Sequence, residues 1–517
     1  MNTFKLTSYL LVAALVFAFV GCDDILEDTE PPTAVSGDIV LSSPEGVEAL
    51  RASMYSQLRS GFGFSTEYFV GPSAFADETF GRVGSSRMQG LNEARGTFGT
   101  THLRPYNQTY SIILDANLLI SAIEDGVLPQ DTEDQFRGEA FAMRAFAMHH
   151  LVRSLGYEPN DPLGRDGEWD LGIIVRTEPT IDVEDADERP RSTVNEVYSQ
   201  ILDDLSQAKT LLAGTSDRTR VNEAFVDGLT ARVNLYAGNW AEASQAAQDG
   251  INNASELSLA SSEDEVANMF FETSDHTEGI FVLTINPDTE PIGGGSNTNT
   301  GPAAYTSTQW VAQIPTQKVL DLYDDEDYRL GDFIRDGDGN IEVDENGIRQ
   351  YEGGWYQPCV DGTENDPQSG CDAANEDELS TNKFNGAKGN LADDLRYMRL
   401  AELYLIWAEA AAKETGSPAD GVDALDQLRE ARGLDPIAVA NPAALASLDA
   451  FEDEILDERM RELIVEGHRF WDLKRTGRDI RTPDGSLKIA ADSYRILANI
   501  GATLRNVNPE LVENPDY

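Results

Sequence analysis

NEAFVDGLTARVNLYAGNWAEASQAAQDGI, residues Asn222 to Ile251, reads as two helices, Asn222 to Tyr236 and Trp240 to Ile251, joined at Gly238-Asn239. Ala231, Ala243 and Ala247 put small side chains where two antiparallel helices approach closely, and Trp240 supplies an aromatic wedge just after the turn. A second copy follows near the C-terminus. Leu403 to Lys413, a Gly416-Ser417-Pro418 turn and Gly421 to Ala431 repeat the plan, with Ala408, Ala412 and Ala424 at the small positions. Upstream, apolar residues recur at helical spacing from Pro44 to Ser60 (Val47, Leu50, Met54, Leu58), from Leu103 to Ile123, and from Thr132 to Leu155. An acidic, proline-bearing connection from Pro159 to Pro190 leads into a further helix, Thr193 to Leu212. The expected fold is mainly α, built of helical hairpins.

The two hairpins resemble tetratricopeptide repeats. Between them, over about 279–392, the character changes. Ile280 to Leu283 reads as a short strand, Gly293 to Gly301 as a Gly/Ser/Asn/Thr loop, and Ile341 to Tyr351 as a β-hairpin turning at Asn346-Gly347. Irregular insertions of this length in a folded domain usually carry function. The expected organisation is one domain over 38–517, with a helical scaffold at about 38–278 and 393–475 around the insertion.

Composition narrows the partners. The 517 residues hold 91 Asp+Glu against 39 Lys+Arg, a net charge of -52, with 40% hydrophobic residues and six tryptophans. Such a chain folds, and its charge repels phosphate backbones, so nucleic acid is not an expected partner. Only eight of the basic residues are lysine. Lys-poor, acid-rich surfaces suit salty water, where screening removes self-repulsion, and predict a halophile.

The N-terminus reads as a processing signal. Lys5 precedes an apolar run from Tyr9 to Val20, too short to span a bilayer comfortably, which ends at Gly21-Cys22. A small residue before a cysteine resembles a bacterial lipobox. Cleavage after Gly21 would leave Cys22 as the lipidated first residue, carrying acyl chains such as palmitate, on a tether over 22–37. Cys359 and Cys371 remain, in a Gly/Asp/Asn/Pro-rich stretch. In an exported chain they are expected to form a disulfide that stabilises by roughly 3 kcal/mol at most. A thiolate metal site is disfavoured, because no His or further Cys lies nearby.

Several motifs, in order along the chain, resemble the SusD/RagB family of outer-membrane lipoproteins. They are Gly138-Glu139-Ala140 with Arg144-Ala145; Arg191-Ser192-Thr193-Val194, Glu196-Val197-Tyr198 and Asp204-Leu205; Pro315-Thr316, Tyr323 and Asp327-Tyr328-Arg329; and Arg396-Tyr397, Glu402 and Ala408-Glu409-Ala410. The strongest is Glu458-Arg459, Glu462-Leu463, Glu466-Gly467, Arg469, Asp472-Leu473 and Arg475, followed by a tail closing on Asn514-Pro515-Asp516-Tyr517. The resemblance implies a cell-surface lipoprotein, anchored in the outer membrane, that binds an oligosaccharide or similar nutrient without catalysis. It also implies a TonB-dependent (SusC-like) transporter as partner. Read from the residues alone, Glu458 to Glu466 is a charge-paired helix face that Gly467 ends, with Trp471 packing back on it.

No nucleophile elbow, phosphate loop, zinc helix or dinucleotide fingerprint occurs, so no catalytic residue and no cofactor is expected. His149 and His150 point about 100° apart on a helix and read as packing residues. Asp336, Asp338, Asn340 and Asp344 begin like a calcium loop, but Ile341 stands where Gly is needed and Gly347 where Glu is, so no metal is expected. Sugars stack their C–H faces on rings and take polar contacts at the rim. The candidate ligand residues on loops are therefore Tyr68, Asp77, Arg82, Tyr305, Gln309, Trp310, Trp355 and Tyr356. For each ring, anchoring of the insertion competes with ligand contact. Two other functions compete as well: a lipid-anchored glycoside hydrolase, which needs a carboxylate pair about 5 to 10 Å apart, and a peptide-binding adaptor using the repeat groove.

Overall fold

Helix starts follow the capping residues. In the computed structural model Ser43 caps α1 (Pro44–Leu58), its hydroxyl accepting from Gly46 N at 3.2 Å. Thr193 and Glu196 form a reciprocal capping box on α4 (Val194–Leu211), and Asn222 caps α5 (Glu223–Ala237) through Phe225 N. The structure describes residues 41–59, 64–81, 88–92, 106–121, 123–124, 126–181, 187–272, 276–289, 301–307, 311–337, 341–342, 350–358, 379–388 and 392–517.

The chain is mainly helical. With α2 (Tyr106–Ser121), α3 (Gln130–Leu155), α6 (Trp240–Asn253), α7 (Leu400–Thr415) and α8 (Ala419–Ala431), consecutive helices pack as hairpins. Helix α6 packs directly on α7, so the two hairpins read from the sequence stack on each other across the insertion. Their contacts are close. A Cβ on Gly421 would stand 2.1 Å from Ala408 O, and one on Gly250 2.8 Å from Leu403 Cδ1. At Gly421 the neighbour is backbone and only glycine permits the approach, whereas at Gly250 the end of the Leu403 side chain would have to move aside.

Strands come in antiparallel pairs. β2 (Gly279–Leu283) pairs with β8 (Leu395–Arg399), with Gly279 opposite Arg399 and Leu283 opposite Leu395, closing the neck of the insertion. β1 (Thr79–Gly81) joins β3 (Gln313–Pro315), β4 (Asp332–Phe333) joins β5 (Tyr351–Glu352), and β6 (Tyr356–Pro358) joins β7 (Leu379–Thr381). β9 (Ile480–Arg481) and β10 (Leu487–Ile489) complete the set. In the hairpin read at 341–351, Gln350 N donates to Glu342 O at 2.8 Å, while its Asn346-Gly347 turn lies outside the described residues.

One sequence expectation needs correction. Helix α9 (Leu448–Glu462) ends five residues before Gly467, and α10 (Arg469–Arg475) begins two after it. Glu462 O is drawn out of the helical pattern to accept from Lys383 Nζ (2.6 Å) and Arg399 Nη2 (3.1 Å). Gly467 has a structural task instead. At φ +90° its absent side chain leaves room for Tyr68 O, which a Cβ would meet at 2.4 Å. Among the described residues no helix is long and apolar enough to cross a membrane.

Candidate functional site

The C-terminal motif is buried, and its charges pair across the chain rather than along the helix. Arg329 grips Asp327 with two donors (2.8 and 2.7 Å) and reaches Glu458 (2.6 Å) and Glu462 (2.9 Å) with Nη1. Arg432 binds both oxygens of Glu462 (3.0 and 2.8 Å) and Glu278 at 2.8 Å. Arg399 takes Glu278 (2.8 Å), Glu462 (3.0 Å) and both oxygens of Glu466 (2.7 Å each). Lys383 adds a bond to Glu466 (2.7 Å), and Arg461 one to Glu458 (2.6 Å). Arg329, Arg399, Arg432, Arg461 and Lys383 thus balance Asp327, Glu278, Glu458, Glu462 and Glu466, none more than 7% exposed.

Burial alone would push the carboxyls of Glu458, Glu462 and Glu466 up. The guanidiniums win. Glu458 is held down at about 2 by Arg329, Arg461 and Arg429, and Glu462 well below the carboxylate range by Arg432, Arg399 and Arg329. Lys383, desolvated but steadied by Glu466, falls to about 8. A lattice with every partner in place is rigid, and removing one member strands its neighbours. It ties the insertion, through Asp327, Arg329 and Lys383, to the neck at Glu278 and Arg399 and to α9.

Other motif residues do similar work. Arg144 clamps Asp204 on α4 (2.8 and 2.7 Å), Glu139 takes Arg51 from α1 (2.7 and 2.8 Å), and Glu402 takes Arg232 from α5 (2.6 and 2.7 Å). Arg475 binds both oxygens of Glu409. Asn514 pins the tail, accepting from Arg191 (2.8 Å) and Trp169 (3.1 Å).

The candidate ligand residues separate into two groups. Arg82, Gln309 and Trp310 lie outside the described residues, as do Cys22, Cys359, Cys371 and, in the acidic turn, Asp338, Asn340 and Asp344. The other five are interior. Tyr68 is 2% exposed, stacks on Phe64 and accepts from Arg232 at 3.2 Å. Trp355 is fully buried, with its indole N–H on Val266 O (2.7 Å) and Lys383 Nζ 4.2 Å from its ring. Tyr356 bonds Tyr323 hydroxyl to hydroxyl at 2.9 Å, and Tyr305 is likewise buried. Asp77 is consumed by Arg469 (2.7 and 3.1 Å) and Lys318 (2.6 Å), which outweigh burial and hold its carboxyl low. In this structure these four rings and Asp77 present no face to solvent. A long insertion pins itself by burying aromatics, and that requirement took Tyr305, Trp355 and Tyr356.

The prominent concavity lies elsewhere, and the sequence reading missed it. A groove of about 630 Å³ runs between α2, residues 172–176 and the C-terminal segment. Tyr110, Leu114, Ile173, Leu504, Val507 and Leu511 line it, with Val507 74% exposed. Its walls come from segments some 400 positions apart, so no local spacing announced it. Among the described residues no group of three or more His, Cys, Asp or Glu could hold a metal ion. His149 and His150 are core residues, edge-on to Tyr198 and Tyr236 and tilted against Phe64 and Tyr68 respectively.

The fold and the motifs agree with known relatives. A profile described as the SusD family matches residues 277–492, and one described as starch-binding, associating with the outer membrane, matches 28–235. Two SusD-like proteins of Formosa agariphila are 24% and 26% identical over 96% and 99% of this chain and 96% and 98% of their own. A solved SusD superfamily protein of Bacteroides thetaiotaomicron superposes with a TM-score of 0.72 at 25% identity, covering 92% of this chain and all of its own. A SusD-like carbohydrate binding protein of Bacteroides vulgatus gives 0.69 at 20% identity, over 91% and 97%. Since the buried clamps fall on the motif residues and the relatives span the chain nearly end to end, the chain belongs to the SusD/RagB family.

Proposed function

We propose that the protein is a non-catalytic outer-membrane lipoprotein, anchored at Cys22, that binds a carbohydrate at the cell surface and delivers it to a TonB-dependent transporter. The observation that carries the reading is the buried charge lattice. It commits the motif carboxylates and arginines to holding the insertion on a rigid scaffold, which is the division of labour a binding protein needs. Arg82, Gln309 and Trp310 are the remaining candidates for ligand contact. The groove, with Leu114, Leu504 and Val507 exposed along it, suits a protein partner better than a sugar, since it offers a single aromatic ring and a mainly apolar surface.

The competing hydrolase needs a protonated acid facing the scissile bond. Glu78, raised by burial to about 7, has a suitable value but is 1% exposed, with Val465 N bonded to it at 3.3 Å. The test is retention on a panel of immobilised polysaccharides, run beside a reducing-end assay on the same glycans. Retention without release supports the proposal, and steady release of reducing ends proportional to protein concentration overturns it.

A further inference from the structure

The groove between α2, residues 172–176 and the C-terminal segment differs from the rest of this polyanion. Of the 517 residues 91 are acidic, yet no Asp or Glu stands among the described residues that line it. Its only charged residues are Arg176 and Arg191. Its floor is core. Leu155, Ile173 and Ile500, each no more than 3% exposed, form the floor, and the exposed Leu114, Leu504 and Val507 stand at the mouth.

Size and chemistry narrow the occupant. A volume of about 630 Å³ falls within the roughly 300–1,000 Å³ of small-molecule sites. Filling it withdraws aliphatic surface from water, at about 25 cal/mol per Å². A sugar would find one ring, Tyr110, and little to bond its hydroxyls. A protein segment would cover Leu504 and Val507, but it brings backbone polar groups into a hollow whose walls offer few partners. An alkyl chain brings none.

The arginines define the other end of the ligand. Arg191 is engaged by the carbonyls of Gly172 (2.8 Å), Leu155 (2.8 Å) and Leu171 (2.9 Å). Among the described residues the Arg176 guanidinium bonds only Asp187, through Nη2, at 2.6 Å to the carboxylate and 2.9 Å to the carbonyl. That carboxylate is shared with Arg189 at 2.7 Å. Nε and Nη1 of Arg176 are left for a second acceptor, and a carboxylate suits a guanidinium edge. We propose that the groove binds a single-chain aliphatic carboxylate, a fatty acid, with its tail over Leu155, Ile173, Ile500 and Leu504 and its head group at Arg176. None of the candidate sugar-contact residues lines this site, so it stands apart from the carbohydrate reading.

Sodium dodecanoate, below its micelle concentration, is the probe. Calorimetric titration into the wild-type protein should show saturable binding of one molecule per chain. Butanoate, with the same head and little tail, should bind more weakly by at least on the order of tenfold. Val507→Glu, which sets an acid at the mouth, and Arg176→Gln, which removes the cation, should each weaken dodecanoate by on the order of tenfold. Both positions are at least partly exposed, so the thermal melts should match that of the wild type. Retention on immobilised glycans should not change in either variant, so this assignment and the carbohydrate reading can fail separately. No saturable heat, uptake of many molecules per chain as by a detergent, or an affinity indifferent to Val507→Glu or to Arg176→Gln would overturn the site.

Discussion

Replacing Glu78 with Gln should stabilise the protein at alkaline pH and leave it unchanged in acid. Glu78 lies just before β1, 1% exposed, and burial raises its carboxyl from the usual 4.5 to about 7 against the pull of Ser73, Arg469 and Val465 N. Asp77 beside it adds to the rise, although Asp77 itself is neutralised by Arg469 and Lys318. A raised acid holds its proton more tightly folded than unfolded. Its contribution is therefore intact below the unfolded value and is lost as pH climbs towards 7. Moving the carboxyl from 4.5 to about 7 corresponds to roughly 3 kcal/mol once both states are ionised. About 2.5 kcal/mol of that falls between pH 5 and pH 8. Gln keeps an oxygen for Val465 N and never ionises. Urea unfolding of wild type and Glu78→Gln at pH 5, 6, 7 and 8 measures the difference directly, and slopes common to both proteins, such as that from the raised Asp115, cancel. Parallel curves would refute the reasoning, because a packing defect shifts stability equally at every pH.

Glu462→Gln should lower stability by about 3 to 5 kcal/mol, since it leaves Arg329, Arg399 and Arg432 sharing one fewer charge, and a urea midpoint within error of wild type would contradict that. Trp310→Ala should weaken carbohydrate binding by on the order of 1 to 3 kcal/mol in calorimetric titration while leaving the thermal melt in place. Lost stability with intact affinity would make Trp310 an anchor instead. Cys22→Ser should move the protein out of the membrane fraction, and unchanged partitioning would sink the lipid anchor. Melting temperature should climb as salt rises from about 0.1 M towards 1 M, where the Debye length is about 3 Å, and a flat profile would argue against a halophilic surface.

The helical hairpins were legible because their signals are local. Apolar spacing, caps such as Thr193 and Asn222, and small residues at the contacts all lie within one or two turns of the helices they shape. The charge lattice was legible only as a motif and not as a network. Arg329 stands 129 positions from Glu458 and 133 from Glu462, so a reading along the helix assigned those glutamates to their sequence neighbours. Gly467 reads as a helix stop because glycine so often is one, whereas its place is set by Tyr68, about 400 residues earlier. The loop aromatics misled for a related reason. Loops expose their backbones, but nothing in Trp355 or Tyr356 tells a reader which ring the insertion will bury to fix itself.

Sorting charges by depth separates two populations that obey different rules. Among the described residues fourteen arginines, two lysines and eighteen acids are buried. At most 23 of the 39 basic residues, and at most 73 of the 91 acidic ones, are thus left for the outside. The interior is close to electroneutral, locked in short contacts that mobile ions do not reach. The exterior is a more one-sided polyanion than the overall composition suggests, and it answers to every change in the surrounding electrolyte. Evolution or engineering can therefore retune the shell for fresh water or brine by exchanging exposed acids, with the frame that positions the insertion left as it is.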